Sequence, residues 1–164
     1  MKVAIVSDSH DHWQNLKQAI AGANQAGCTA LLHAGDLIAP MGVQMLAEFR
    51  GQVHYVWGNN EGEKLGISRA IDKLPNVILH GREMSLELDE RKIYMNHYPH
   101  ISQMAAATGE YDVAIYGHDH LYFQEKKDHT FLLNPGELCG YRTKQATFMM
   151  LDLKTLQVEK HSLE

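Results

Sequence analysis

Cysteine is nearly absent. The chain has 164 residues and two thiols, Cys28 and Cys139, with no Cys-x-x-Cys pair, which excludes both a disulfide framework and a thiolate zinc knuckle. Long apolar runs are missing too: after Lys2 only Val3 to Val6 are uninterrupted, far short of the roughly 18 residues a membrane span requires. No excess of positive charge exists, since 15 Lys and Arg face 20 Asp and Glu for a net charge of -5, which argues against a stable complex with a nucleic-acid backbone. Linkers, repeats and low-complexity tracts are lacking, so residues 1–164 read as one domain, expected in the reducing cytoplasm.

What is present is an ordinary core-forming composition, 45% apolar and 21% charged, together with eleven His. With so few thiols, any bound metal should rely on nitrogen and oxygen ligands.

The first half alternates short apolar runs with helical spacing. Lys2–Val6 reads as a strand, Trp13, Leu16, Ile20 and Ala23 as one face of a helix ending near Gly27, and Thr29–Leu32 as a second strand. A helix over Met41–Phe49, a strand over Val53–Trp57 and a short helix over Lys64–Lys73 follow, and strand–helix–strand order implies parallel pairing. In the second half Met84–Leu88 and Lys92–Met95 form a predicted hairpin, and Ile101–Thr108 is Ala-rich and stops at Gly109. Further strands are expected at Val113–Tyr116, Tyr122–Lys126, Thr130–Leu133, Thr147–Leu151 and Gln157–Lys160, giving a mixed α/β chain.

Polar clusters sit where these strands end: Asp8-Ser9-His10, Gly35-Asp36, Gly58-Asn59-Asn60, His97, and Gly117-His118-Asp119-His120. Ligands of open parallel sheets bind beyond the carboxyl ends of strands, so five loops are expected to meet at one edge. Each cluster alone has an ordinary reading: Asp8 or Asp11 as a helix cap, Gly35-Asp36 as a turn, His118 and His120 as solvated loop residues. Two carboxylates, one amide and four imidazoles at strand ends are harder to treat as unrelated turns. Asp and His together suit borderline divalent ions such as Mn, Fe, Zn or Ni.

In this order the five clusters resemble the blocks of the calcineurin-like metallophosphoesterases. Asn134-Pro135-Gly136-Glu137 and the short length are similar to their small prokaryotic phosphodiesterase branch. The resemblance extends from Met1 to about Leu151. It implies a four-layer sandwich, two sheets flanked by helices, with a dinuclear metal centre, most readily manganese, at the strand ends. Carried over by position, it implies one ion at Asp8, His10, Asp36 and His120 and a second at Asp36, Asn59, His97 and His118, with Asp36 shared.

Two divalent ions against two carboxylates leave a positive centre that attracts a phosphate ester. A bridging water made acidic by two cations would attack phosphorus in line, so no covalent nucleophile is needed. That fits the lack of a Gly-x-Ser-x-Gly elbow. Asp36, Asn59 and His97 would then act through the metal centre on a small phosphodiester.

Two positions depart from the family pattern. Many members place a His after the Asn of the third block, where it can protonate the leaving oxygen; here that residue is Asn60, leaving His12, His100 or a metal-bound water as candidate donors and predicting slow turnover of poor leaving groups. Tyr98-Pro99 follows His97 where relatives usually carry Gly, which predicts a narrower pocket mouth. His33 reads as a support for Asp36 or as a satisfied core residue, and Asp119 as an orienting partner for an imidazole or as exposed. Pro135-Gly136 fits a type II turn, and the resemblance implies that this turn borders the metal site. Arg142 and Lys144 read as phosphate contacts or a solvated face; Met104, Met149 and Met150 read as core filling.

A binding or assembly protein on the same scaffold is the alternative to catalysis, as in the retromer subunit that resembles this family. A nucleotide-binding domain is disfavoured because no Gly-x-Gly-x-x-Gly or Walker lysine follows the first strand. A homo-oligomer is compatible with the sequence.

Overall fold

The structure, a computed structural model, describes residues 1–163. Eleven strands and four helices succeed one another as β1 (Lys2–Val6), α1 (Trp13–Gln25), β2 (Ala30–His33), α2 (Pro40–Leu46), β3 (Gln52–Tyr55), α3 (Lys64–Ile71), β4 (Val77–Leu79), β5 (Glu83–Leu88), β6 (Arg91–Asn96), α4 (Pro99–Thr108), β7 (Val113–Ile115), β8 (Tyr122–Lys127), β9 (Thr130–Pro135), β10 (Ala146–Asp152) and β11 (Gln157–Leu163). One sheet has the order β11-β10-β1-β2-β3-β4, the other β5-β6-β7-β9-β8.

Side-chain alternation makes the layers. Val3 and Ile5 of β1 meet Ile93, Met95, Val113 and Ile115 of the second sheet, while their neighbours Ala4 and Val6 face Leu16, Ile20 and Ala23 of α1. On the far side, Ala114 and Leu132 pack with Ala106 of α4. The order is helices, sheet, sheet, helix, the four-layer sandwich expected from the family resemblance. Helix boundaries follow local chemistry: Pro40 and Pro99 open α2 and α4, where a missing N–H costs nothing, and Gly109 closes α4 with a left-handed backbone (φ 72°).

Strands β1, β2 and β3 run parallel, as do β6 and β7. Five strand ends therefore open onto the same edge.

The three-residue edge strand β4 escapes sequence reading because it is too short to show a period. α1 is capped by His12, whose Nδ1 accepts from Asn15 N at 3.3 Å, and neither Asp8 nor Asp11 does so. Met149 and Met150 are buried as expected, but Met104 is 67% exposed on the outer face of α4, which packs on the sheet through Ser102 and Ala106.

Candidate active site

The loop after β1 carries Asp8 and His10, the loop after β2 Asp36, that after β3 Asn59, that after β6 His97 and that after β7 His118 and His120. All seven converge. His10 Nε2 lies 3.7 Å from Asp8 Oδ1 and 3.4 Å from Asp36 Oδ2. His120 Nε2 lies 3.5 Å from Asp8 Oδ1, and His97 Nε2 lies 3.5 Å from Asp36 Oδ2. Asn59 Oδ1 stands 2.9 Å from His97 Nε2 and 2.8 Å from His118 Nδ1. Asp36 Oδ2 thus sits between the His10 and His97 imidazoles.

The backbone that delivers these side chains is unusual. Asp8, His10, Asp36, His118 and His120 all have left-handed φ, between 41° and 73°. Asp and His tolerate that region better than most side chains, yet it still costs energy and is retained where surrounding structure enforces it. Two glycines make the close approach feasible: a Cβ at Gly58 would strike Asp36 Oδ1, and one at Gly117 would strike Ser7 Oγ.

The two sheets fix their ligands differently. Asp8 Oδ2 accepts from Ser7 Oγ at 2.6 Å and His118 N at 3.0 Å. Asp36 Oδ1 and Oδ2 accept from the backbone N and side-chain Nδ2 of Asn60 at 2.8 and 2.7 Å. The imidazoles are held through the ring nitrogen that faces away. His97 Nδ1 donates to Ala34 O at 2.7 Å, and His120 Nδ1 pairs with Glu137 Oε2 at 2.7 Å. Fixing one nitrogen as a donor leaves Nε2 with its lone pair aimed inward.

Burial works against ionisation of Asp8, but the contact with His10, the field of His97 and the Ser7 hydroxyl hold its carboxyl below the usual range. His10 is raised, chiefly by Asp8. Glu137 is held down at about 2: burial opposes this, and His120, the Thr143 amide and hydroxyl, and the Arg142 amide outweigh it.

At this edge His97 Nε2 lies 2.9 Å from Asn59 Oδ1 and 3.5 Å from Asp36 Oδ2, and Asp8 Oδ1 and His10 Nε2 are buried without a hydrogen-bond partner. Buried polar atoms are seldom left unpaired, and an arrangement of lone pairs around a common point fits a cation. Asp8, His10 and His120 form one group able to hold a metal ion, and Asp8, Asp36 and His97 another. His120, Glu137 and Cys139 form a third cluster, but there burial pushes the thiol up to about 12, and Sγ donates to Glu137 Oε2. A protonated thiol inside a satisfied network is a poor ligand.

Other predicted residues separate into near and far. His100 and Tyr98 line a cavity of about 640 Å³ that also reaches Asn59, and the Tyr98 ring stands 5.0 Å from His118. His12 lies instead against Tyr141, its Nδ1 engaged in the α1 cap. Asn60, exposed, is tied to Asp36. His33 is a satisfied core residue: Nδ1 accepts from Gly35 N at 3.2 Å and Nε2 contacts Ser9 Oγ at 3.1 Å. Asp119 neither orients an imidazole nor stands free; its Oδ1 accepts from Asn134 Nδ2 at 2.6 Å and Leu121 N at 2.9 Å. Gly136 has the left-handed φ of 78° that a type II turn requires. Arg142 and Lys144 are exposed, with Lys144 Nζ bonded to Tyr141 O.

Sequence reasoning missed two carboxylates. Glu61 Oε1 accepts from Asp36 N, Gly58 N and Tyr55 OH at 2.7, 2.9 and 2.6 Å, tying two site loops together. Nothing in the sequence distinguishes it from other acidic residues near turns. Glu137 was within reach, because it closes the Asn134–Glu137 motif.

A two-sheet sandwich with acids, an amide and imidazoles on one strand-end edge defines a class of metal-site hydrolase scaffolds. Residues 1–156 match the calcineurin-like phosphoesterase superfamily domain, and the chain belongs to that family. It is 32% identical over 166 residues to phosphodiesterase MJ0936 of Methanocaldococcus jannaschii, covering all of both chains. A solved archaeal phosphodiesterase superposes with a TM-score of 0.94 at 31% identity, covering 99% of this chain and 100% of that one. Vacuolar protein sorting 29 of Cryptosporidium parvum shares the fold, with a TM-score of 0.69 at 16% identity over 99% and 96% of the two chains. The chain is a phosphoric ester hydrolase. No helix among the described residues is long and apolar enough to cross a membrane.

Proposed function

We propose that the chain is a metal-dependent phosphodiesterase acting on a small phosphodiester. The observation that carries this reading is the convergence of Asp8, His10, Asp36, His97 and His120 about the buried, unpartnered Asp8 Oδ1 and His10 Nε2, with Asn59 joining His97 to His118 beside them. Asp8, His10, Asp36 and His120 would hold one divalent ion, and Asp36, Asn59, His97 and His118 a second, manganese first and nickel, iron or zinc next by donor type. Bound there, the ions would supply Lewis acidity toward a phosphate ester and lower the pKa of water.

The protein's own residues do the rest. Asp36 links both halves of the donor set, and neutral Asn59 limits its negative charge. Ala34 O and Glu137 keep His97 and His120 aimed inward. Asn60 cannot protonate a leaving group, and His100, which lines the same cavity as Asn59, is a candidate donor. A diester is favoured by the full-length relative named as a phosphodiesterase. Both cysteines are free and buried, which suits a reducing compartment such as the cytoplasm.

The test is hydrolysis of bis(p-nitrophenyl) phosphate and p-nitrophenyl phosphate by metal-stripped protein with and without Mn²⁺. Metal-restored turnover favouring the diester is the expected result. Folded protein inactive with Mn²⁺, Ni²⁺, Fe²⁺ and Zn²⁺ would overturn the catalytic proposal and leave a binding or assembly role.

A further inference from the structure

The cavity beside the proposed metal centre is asymmetric. Asn59 belongs to both the cavity wall and the donor set, so a phosphodiester held there extends into about 640 Å³ of space, room for a ligand of nucleotide size. Trp57 and Tyr98 both line the cavity, the Tyr98 ring 5.5 Å from His97 and 5.0 Å from His118. Trp57 is propped edge-on by Tyr55 at 5.4 Å, which fixes its ring as a rigid wall. Two cations, Lys64 and Arg82, complete the rim, with Lys64 Nζ 5.5 Å from the Trp57 ring centroid.

Among the described residues neither cation has a carboxylate within ion-pair distance; the ion pairs formed by Lys and Arg are Lys17–Glu48 and Arg91–Asp112. Glu83, the one carboxylate on the cavity wall, is engaged by Tyr94 OH at 2.6 Å. In a chain of net charge -5, the cavity beside Asn59 gathers two unpaired cations and two aromatic rings in one lining. Aromatic faces take flat rings, and guanidinium and ammonium groups take phosphate oxygens.

We infer that Trp57, Tyr98, Lys64 and Arg82 form a specificity subsite for a phosphodiester whose non-reacting end carries an aromatic base and a second phosphate, as in a 5′-phosphorylated dinucleotide. The inference rests on the phosphodiesterase reading above and names its substrate class. The chemistry balances with water alone: the water oxygen bonds to phosphorus, the P–O3′ bond breaks, the departing alkoxide takes a proton, and pApA yields two adenosine monophosphates.

The test compares kcat/KM of the manganese-loaded full chain for pApA and for ApA, which differ only in the terminal phosphate, with bis(p-nitrophenyl) phosphate as the measure of basic diesterase activity. At least about a tenfold preference for pApA is expected, the order of one charge-assisted contact. That preference collapses toward one in K64A/R82A through a higher KM for pApA, whereas K126A, which removes a β8 cation lying over Phe131 of β9, keeps it. Equal rates on pApA and ApA, or a preference that survives K64A/R82A, overturns the subsite. Absence of turnover on every diester removes the phosphodiesterase reading instead. In that event a binding measurement decides the subsite: in W13F, where Trp57 is the remaining tryptophan, adenosine 3′,5′-bisphosphate quenches fluorescence more strongly than adenosine if the inference holds, and equally if it fails.

Discussion

The two sheets bring different chemistry to the same edge. The first sheet contributes Asp8, Asp36, Asn59 and one imidazole, and its carboxylates are clamped by main-chain amides and short side chains such as Ser7 and Asn60. The second contributes three imidazoles, two of them steered from behind by an acceptor, Ala34 O for His97 and Glu137 for His120. Negative charge is therefore held rigidly on one side and neutral lone pairs are aimed from the other. Neither sheet alone makes a donor set, so the site exists at their junction.

That division of labour can be broken most severely at Asp36, whose Oδ2 lies between the His10 and His97 imidazoles. Asp36→Ala is expected to lower kcat/KM on bis(p-nitrophenyl) phosphate by more than about a thousandfold, the scale of several kcal/mol for charge stabilisation, and to reduce bound manganese measured by mass spectrometry. Retention of both would remove Asp36 from the centre.

Breaking the second sheet's steering has a smaller effect. Glu137→Gln leaves the shape but weakens control of the His120 ring, and metal affinity should fall by about 10- to 100-fold with the fold unchanged by circular dichroism. An unchanged affinity would reduce Glu137 to a structural role.

Acid sharpens the contrast from the first sheet's interior. His33 on β2 and His54 on β3 are both pushed down to about 4, by burial first, with His80 adding to the effect on His54. The unfolded chain binds these protons near pH 6.5 while the folded one refuses them, so stability is greatest above that pH and declines as pH falls from 6.5 toward 4. Each group contributes a loss of about 2 kcal/mol between pH 7 and pH 5. His54→Gln should flatten the pH dependence of Tm in that window, and an unchanged slope would exclude His54 as a cause.

The smallest change concerns the leaving group. Asn60→His places an acid where the third loop now has an amide, and activity on alkyl diesters should rise by less than about tenfold while p-nitrophenyl esters, which need no proton, are unaffected. A matching loss on both substrates would mean that the Asn60 bonds to Asp36 matter more than the missing acid.

Much of this architecture was legible in the sequence, and the reasons are local. The alternation of Val3 to Val6 and the spacing of Leu16, Ile20 and Ala23 are set by the geometry of a strand and a helix, and strand ends mark where parallel sheets expose their loops. The seven polar residues were visible because Asp, Asn and His recur at those ends. The cap of α1, read as Asp8 or Asp11 and made by His12, and Met104 were misjudged: several loop side chains compete for one cap, and whether a methionine on an Ala-rich helix faces in or out depends on neighbours distant in sequence.

The sequence by itself determined the parallel order of the first half and the polar clusters at the strand ends, since these follow from side-chain period and residue type, while the sandwich of layers and the grouping of those residues into a donor set were implied by the family resemblance. Only the tertiary structure decided that Glu61 ties the loops of Asp36 and Gly58, that Glu137 rather than Asp119 turns His120, and that Lys64 lies over Trp57 in a cavity that Arg82 also lines. Hydrogen bonds and unsatisfied charges are properties of atoms brought within about 3 Å, and that proximity arises when strands far apart in the chain pack edge to edge.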